Sequence, residues 1–478
     1  MKGATGHVGT PTRAAYGFGA VAYGVKDHGF LYFLLFFYDR VVGLDPGKVS
    51  LAIFVALCVD AISDPVVGNW SDRTHSRWGR RHPFMYAAAL PVAAAFFFLW
   101  NPPMDVGEDA LFVYLLVIAT LVRTSITFYE VPSTSMVAEL TEDYHVRTSL
   151  LSYRYLFGWL GGLVIATAAF KFLLVPTEKY LHGMFNLEGY KTYGLVAAIL
   201  MLTGILVSAL GTHHRIPQMK KPPPKRPINV WRTFGEIFET LANRSFIMLF
   251  LADIFFSLAS GLSRGLNYYL TTFFWELETH QLLYFVYGFV LSAIVAFMLA
   301  PVFSRRMGKK KAAISIAFTA FVLAPMPVIL RLIGFFPENG DPLLLPLLLV
   351  FAITDVALII TAQIIIGSMV ADVVEDSELK TGRRSEGLFF AARTFVEKIA
   401  SGMGIFSSGI ILAFIGLPRD IAPSLVDSET VWTLGAIYAP TLLFFYLVSV
   451  GLLFAYRITE SQHEENLRAL NSRRNGGE

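Results

Sequence analysis

Apolar stretches recur from Tyr16 almost to Tyr456, and each is close to the ~20 residues a helix needs to cross ~30 Å of hydrocarbon. Twelve can be counted, near residues 15–41, 48–71, 83–101, 109–138, 146–175 and 190–211, then 245–274, 281–304, 312–333, 343–372, 387–415 and 432–456. Most connections between them are short. The longest polar one, Thr212 to Asn243, falls midway. The pattern predicts an all-α membrane protein of twelve transmembrane helices in two six-helix bundles. The expected division is 14–211 for the first bundle, 212–243 for a linker, 244–457 for the second bundle and 458–478 for a tail.

The linker opens on Lys220-Lys221-Pro222-Pro223-Pro224-Lys225-Arg226-Pro227, which cannot be helical throughout because proline lacks the amide proton a helix interior needs. Beyond it, Trp231, Phe234, Ile237, Phe238 and Leu241 recur at spacings of three and four, as in a short helix on a membrane surface or against the bundle. Composition agrees with burial in lipid. Of the 478 residues 55% are hydrophobic and 16% charged, more apolar surface than a water-facing fold of this length can hide. The stretch after Arg13 is too long and too polar-studded for a cleaved signal segment. Cys58 is the only cysteine, so no intramolecular disulfide forms.

Lysine and arginine orient the chain. Connections after the even-numbered spans, together with both tails, hold about two dozen of them, against about half a dozen on the other side. Both termini and the linker are therefore expected in the cytoplasm of a bacterial inner membrane. The basic loops Asp72–Arg81 and Ser304–Lys311 lie six spans apart, which points to one internal repeat and two pseudo-symmetric halves that rock against each other. The basic residues follow this topology, and no aromatic–basic surface for nucleic acid accompanies them.

The informative residues are charges inside the spans. Each costs at least ~2.5–3.5 kcal/mol at a helix centre unless it pairs or lines a wet path. They are Lys26, Asp27, Asp60, Asp64, Arg123, Glu130, Arg154, Asp253, Arg264, Asp355, Arg393, Glu397 and Lys398. Asp60 and Asp64 lie one turn apart on one helix face, where two like charges require a proton or a cation between them. A hard cation takes several oxygens, and Thr127 and Glu130 on the fourth span are placed to add theirs. Val131-Pro132 should kink that span beside Glu130. Lys398 meets the acidic pair only if the halves face each other, and then substitutes for the cation in its absence. Arg123, Asp253 and Arg264 read as structural, the last two eleven residues apart on one helix face.

Several segments carry a resemblance. Tyr23-Gly24-Val25-Lys26-Asp27, Asp60-Ala61-Ile62-Ser63-Asp64-Pro65, Ser76-Arg77-Trp78-Gly79-Arg80, Glu130-Val131-Pro132, Arg154, and Met369-Val370-Ala371-Asp372 leading to Glu386 and Lys398 run through both halves in order. In these the chain resembles the glycoside–pentoside–hexuronide:cation symporters of the major facilitator superfamily, of which melibiose permease is the best-known member. The resemblance implies the superfamily fold and a cation (Na⁺, Li⁺ or H⁺, with no other cofactor) held by Asp60 and Asp64 with Thr127 and Glu130. It implies a sugar-like solute held by Lys26, Asp27, Glu130 and Arg154, with Arg393, Thr394 and Lys398 contributing from the second half. It further implies that Asp72, Arg73, Arg77 and Arg80 form loop salt bridges that lock the outward-facing state. Three departures stand out: Glu130 replaces an aspartate, Arg393 replaces a neutral amide, and Thr134 stands where melibiose permease has a sugar-stacking tryptophan. The chain is also similar to the eukaryotic sodium-dependent lysophosphatidylcholine symporter at Val49-Ser50-Leu51 and Lys398-Ile399-Ala400-Ser401-Gly402. A lysolipid would leave Glu130 and Lys26 facing an acyl chain, so a polar solute is the expected one.

Catalysis has one motif to its name. Gly261-Leu262-Ser263-Arg264-Gly265 spells G-x-S-x-G, but a nucleophile elbow joins a strand to a helix and this run lies within an apolar helical stretch. A membrane-embedded hydrolase is thus disfavoured, and the glycines read as sites of close helix contact, like Gly158 and Gly162.

Overall fold

A computed structural model describes residues 8–141, 143–219, 243–381, 386–418 and 423–456, with Ile458 and a few isolated positions after it. The expected surface helix around Trp231 lies outside the described residues, as does most of the tail. Among the described residues all regular structure is helical. Among the described residues eleven helices are long and apolar enough to cross a bilayer: Pro46–Arg73, His82–Leu99, Glu108–Leu140, Val146–Leu173, Leu187–His213, Arg244–Phe274, Thr279–Met307, Lys309–Leu332, Leu344–Lys380, Phe389–Ile415 and Ser428–Phe454. These are spans two to twelve.

Span one, residues 10–42, differs from the uniform helix its apolar run predicts. It is broken into α-helical pieces and two π turns, Gly29–Phe33 and Phe37–Val42. A π turn carries one extra residue per ring and is tolerated where packing compensates. Here Phe30, Phe33, Phe36 and Phe37 are all fully buried around it. Gly43, with φ of 94°, ends the span in the left-handed region that a side chain avoids. Asp45 then caps span two by accepting from the Lys48 amide at 3.1 Å, and Pro46 at the first helical position needs no amide partner. Asn186, Asn243 and Asp427 cap spans six, seven and twelve in the same manner.

Small residues set how closely the spans approach. A Cβ at Gly24 would lie 2.0 Å from the Gly158 carbonyl oxygen, and one at Gly261 the same distance from that of Ser401. Gly261 and Gly265 are thus contact glycines between spans seven and eleven, inside the helix Arg244–Tyr269. Span two runs unbroken through Pro65 to Arg73, so Asp64 sits within the helix and does not end it. Span four is continuous through Pro132 to Ser135, with a short separate turn at Val137–Leu140.

The two halves meet mainly through spans two and eleven and spans one and seven. Their hydrogen bonds and ion pairs, among the described residues, run from the level of Asp60, Asp64 and Lys398 towards the face that bears residues 39–46, 269–282 and 417–418. That face is shut. Towards the opposite, basic-loop face, the ion pairs among the described residues stay within single halves, as between Arg80 and Glu139 or Lys309 and Asp372.

Candidate functional site

The shut side ends at a cluster of ions. Asp60 is buried on span two, and its Oδ2 receives the Arg123 guanidinium at 2.6 Å and Lys398 Nζ at 2.9 Å. Its Oδ1 accepts from the Thr127 hydroxyl at 2.8 Å. One turn on, Asp64 Oδ2 lies 2.5 Å from the same Lys398 Nζ, and Thr127 Oγ1 stands 3.2 Å from its Oδ1. Lysine from one half therefore bridges both carboxylates of the other. Ser63, 3.4 Å from Thr127, adds a further hydroxyl.

Beside this pair, Lys26 of span one contacts Asp27 at 3.1 Å and Glu130 at 3.3 Å. Glu130 thus joins Lys26 and not the Asp60–Asp64 pair, although Thr127, one turn earlier on its helix, does reach it. Arg123 is 3.8 Å from Asp27 and so ties the two clusters together. Exposure grades across them: the side chain of Asp60 is 2% accessible, Asp64 28%, Glu130 35% and Asp27 52%. Carboxylates half exposed in the middle of a membrane span mark a water-accessible recess, which the burial cost of a lone ion would otherwise forbid.

Arg154 sits close by but takes neutral partners. Its Nη1 donates to Ser133 Oγ at 3.1 Å and to the Tyr16 hydroxyl at 3.4 Å, Nη2 contacts the Thr134 hydroxyl, and the cation lies 4.5 Å from the Tyr23 ring centre. In the second half Arg393 forms a two-pronged pair with Asp253 at 3.1 and 3.2 Å and reaches Gln363 at 2.6 Å. It makes no ion pair to the first half among the described residues. Thr394 and Glu397 are exposed on the same helix.

The basic loops pair within single halves here, and the expected lock belongs to the state in which this face is shut. Asp72 pairs with Arg81, and Arg80 and Arg81 both hold Glu139 Oε1, at 2.9 and 2.7 Å, all within the first half. Arg73 is exposed, and Arg77 lies over the Trp78 ring. The second half repeats the arrangement, with Lys309 at the start of span nine 2.6 Å from Asp372 on span ten. With this face open, the loop pairs staple each half to itself.

Sequence reading missed Arg123 as a member of the site. Its partner Asp60 is 63 positions away, and a helix face alone does not disclose which neighbour it meets. The one available signal was its place one turn before Thr127 on the same span.

Two pseudo-symmetric sets of spans, shut at one face and lined with ions midway, are the fold of major facilitator superfamily transporters. The chain superposes on the nucleoside transporter NupG with a TM-score of 0.59 at 14% identity, covering 92% of this chain and 99% of that one. For the xylose transporter XylE from E. coli the score is 0.57 at 12% identity, covering 91% and 98%. Within that class, residues 15–460 match the family described as MFS/sugar transport protein, and the chain belongs to it. Relatives include the isoprimeverose transporter of Lactiplantibacillus pentosus, 25% identical over 88% of this chain and 83% of that protein. The inner membrane symporter YicJ of Escherichia coli (strain K12) is 24% identical over 93% and 91%. The protein is a multi-pass membrane transporter, not an enzyme, and its G-x-S-x-G is a packing motif.

Proposed function

We propose that this transporter is a cation-coupled symporter of a sugar or glycoside-like solute. The named relatives that carry sugars or act as symporters support the solute class. The observation that carries the coupling is the Lys398 bridge: one ammonium from the second half occupies Asp60 Oδ2 and Asp64 Oδ2 of the first. Na⁺, Li⁺ or H⁺ arriving at Asp60 and Asp64, with oxygens from Thr127 and nearby Glu130, competes with that lysine. Binding then trades an inter-half contact for an ion. Whatever the ion does to the balance between open forms, the solute must do in return, because the coupling free energy is shared.

The solute enters the recess lined by Lys26, Asp27, Glu130 and Arg154, with Thr394 and Lys398 opposite it. Arg393 contributes once it leaves Asp253, or by holding its helix. Charged groups of both signs suit the hydroxyls of a sugar, which donate and accept in turn. The excess of lysine and arginine on the open face supports a cytoplasmic position for it in an inner membrane, which makes this the inward-open form. Asp72, Arg73, Arg77 and Arg80 then become lock residues only when this face shuts and they gain partners across the halves.

The test begins with thermal stabilisation of purified protein across glycosides, uronides and lysolipids. The stabilising compound is then taken into proteoliposomes under Na⁺, Li⁺ or H⁺ gradients. Uptake by the native chain should be driven by one of these gradients, and Asp64→Asn should abolish that dependence. Undiminished gradient-driven uptake in the variant removes the carboxylate pair from consideration.

A further inference from the structure

The ion cluster holds more than a cation site needs. Lys26, Arg123, Arg154 and Lys398 are gathered with Asp27, Asp60, Asp64 and Glu130, four positive groups with four negative. Lys26 and Arg123 are the buried members of the positive set, and Arg123 is the one that holds Asp60. It contacts Asp60 at 2.6 Å, lies 5.1 Å from the Phe30 ring, and belongs to the same half as its partner, so no rocking of the halves separates them. Lys398 belongs to the other half. It alone of the four is removed when the halves part at this level.

Resting on the symport reading above, we infer that Arg123 is a positioning residue that commits Asp60 as its permanent counter-ion and limits the site to one monovalent cation. With Lys398 withdrawn, the cluster is short by a single positive charge. Asp64, the more accessible carboxylate, carries that deficit, because Asp60 keeps its guanidinium on Oδ2 and the Thr127 hydroxyl on Oδ1. One Na⁺, Li⁺ or H⁺ restores the balance; a second would leave an excess positive charge beside the buried Arg123 and Lys26. The arginine also touches Asp27 at 3.8 Å, so the charge count extends to the solute recess.

The experiment uses full-length protein in proteoliposomes and records charge displacement after jumps of Na⁺, of Li⁺ and of pH. In the native chain one of the three ions gives a response that saturates at a fixed charge displaced per protein, and Asp64→Asn loses it. Arg123→Gln frees the Asp60 charge, so the saturating charge should rise towards about twice the native value; Arg123→Lys should restore about the native value. Removing one partner of a buried pair risks misfolding, whereas removing both leaves no stranded charge. The double variant Arg123→Gln/Asp60→Asn should therefore respond like the native chain, with about its saturating charge. If Arg123→Gln keeps the native saturating charge, or the double variant loses the ion response while the native chain has it, the assignment to Arg123 is overturned. If instead no ion gives a response in the native chain, or Asp64→Asn retains it, the symport reading itself fails, and the role of Arg123 with it.

Discussion

The shut face and the open face of this protein are built from similar parts used in opposite ways. On the shut face Arg40 pairs with Asp39 at 2.6 Å and crosses to the other half, donating to the carbonyls of Leu417 at 3.1 Å and Pro418 at 2.9 Å. Tyr269 of span seven closes the same knot by donating to Asp39 at 2.7 Å. All three residues are buried. On the open face some basic residues are just as well paired, yet Arg80 and Arg81 hold Glu139, and Lys309 holds Asp372, inside single halves. Equal pairing strength therefore has unequal conformational meaning. A bond between halves biases the open–shut balance, while a bond within a half only stiffens the body that moves.

Breaking the inter-half knot should have the largest effect. Arg40→Ala removes the guanidinium that joins Asp39 to two carbonyls of the other half, a loss of ~3–5 kcal/mol in comparable buried pairs. It should raise maleimide labelling of a cysteine placed at the buried Ser50, in a Cys58→Ser background, by at least about tenfold. An unchanged labelling rate would show that the knot does not hold the face. Glu139→Gln should lower the thermal midpoint, since it weakens two buried ion pairs, but leave labelling at position 50 within about twofold of the native rate. A large labelling change there would erase the distinction between the faces.

The smallest effect is expected at His182, in the connection between spans five and six. Its Nδ1 accepts from the Met184 amide at 3.3 Å, and its Nε2 donates to the Leu277 carbonyl across the halves at 3.2 Å. Burial holds the imidazole below its ordinary value of 6.5, against smaller opposing effects of the Leu277 carbonyl and Glu278. The neutral ring is the one that fits, so the shut face takes up a proton less readily than the opened one. This contact's contribution is complete above pH 6.5 and is lost as pH falls below it. Labelling at position 50 should rise modestly at acid pH, and His182→Gln should remove that rise; a rise that survives in the variant assigns it elsewhere.

Most of the fold was legible because lipid imposes a simple rule on sequence. All twelve spans lie within a few residues of their expected bounds, except that span ten continues to Lys380, well past the expected end near 372. The carboxylate pair was legible as well, since a spacing of four is a local geometric fact. The meeting of Lys398 with that pair was expected only if the halves face each other, and they do. Long-range partners were not legible: Arg123 with Asp60, Arg393 with Asp253 and Arg40 with Leu417 each join distant parts of the chain. Nor was the π geometry of span one, because a run of phenylalanines reads the same in either kind of helix.

That geometry has a consequence for insertions and deletions. A π turn holds one residue more than the α turn it replaces, and each α-helical residue rotates the chain by about 100°. Deleting a single residue between Phe33 and Phe37 while both π turns persist would swing Asp39 and Arg40 about 100° away from span seven, whereas relaxation of a wide turn to ordinary helix would absorb the loss. The length of the wide turn at Phe37–Val42, as much as the chemistry of its side chains, therefore sets whether the two bodies can fasten at this end.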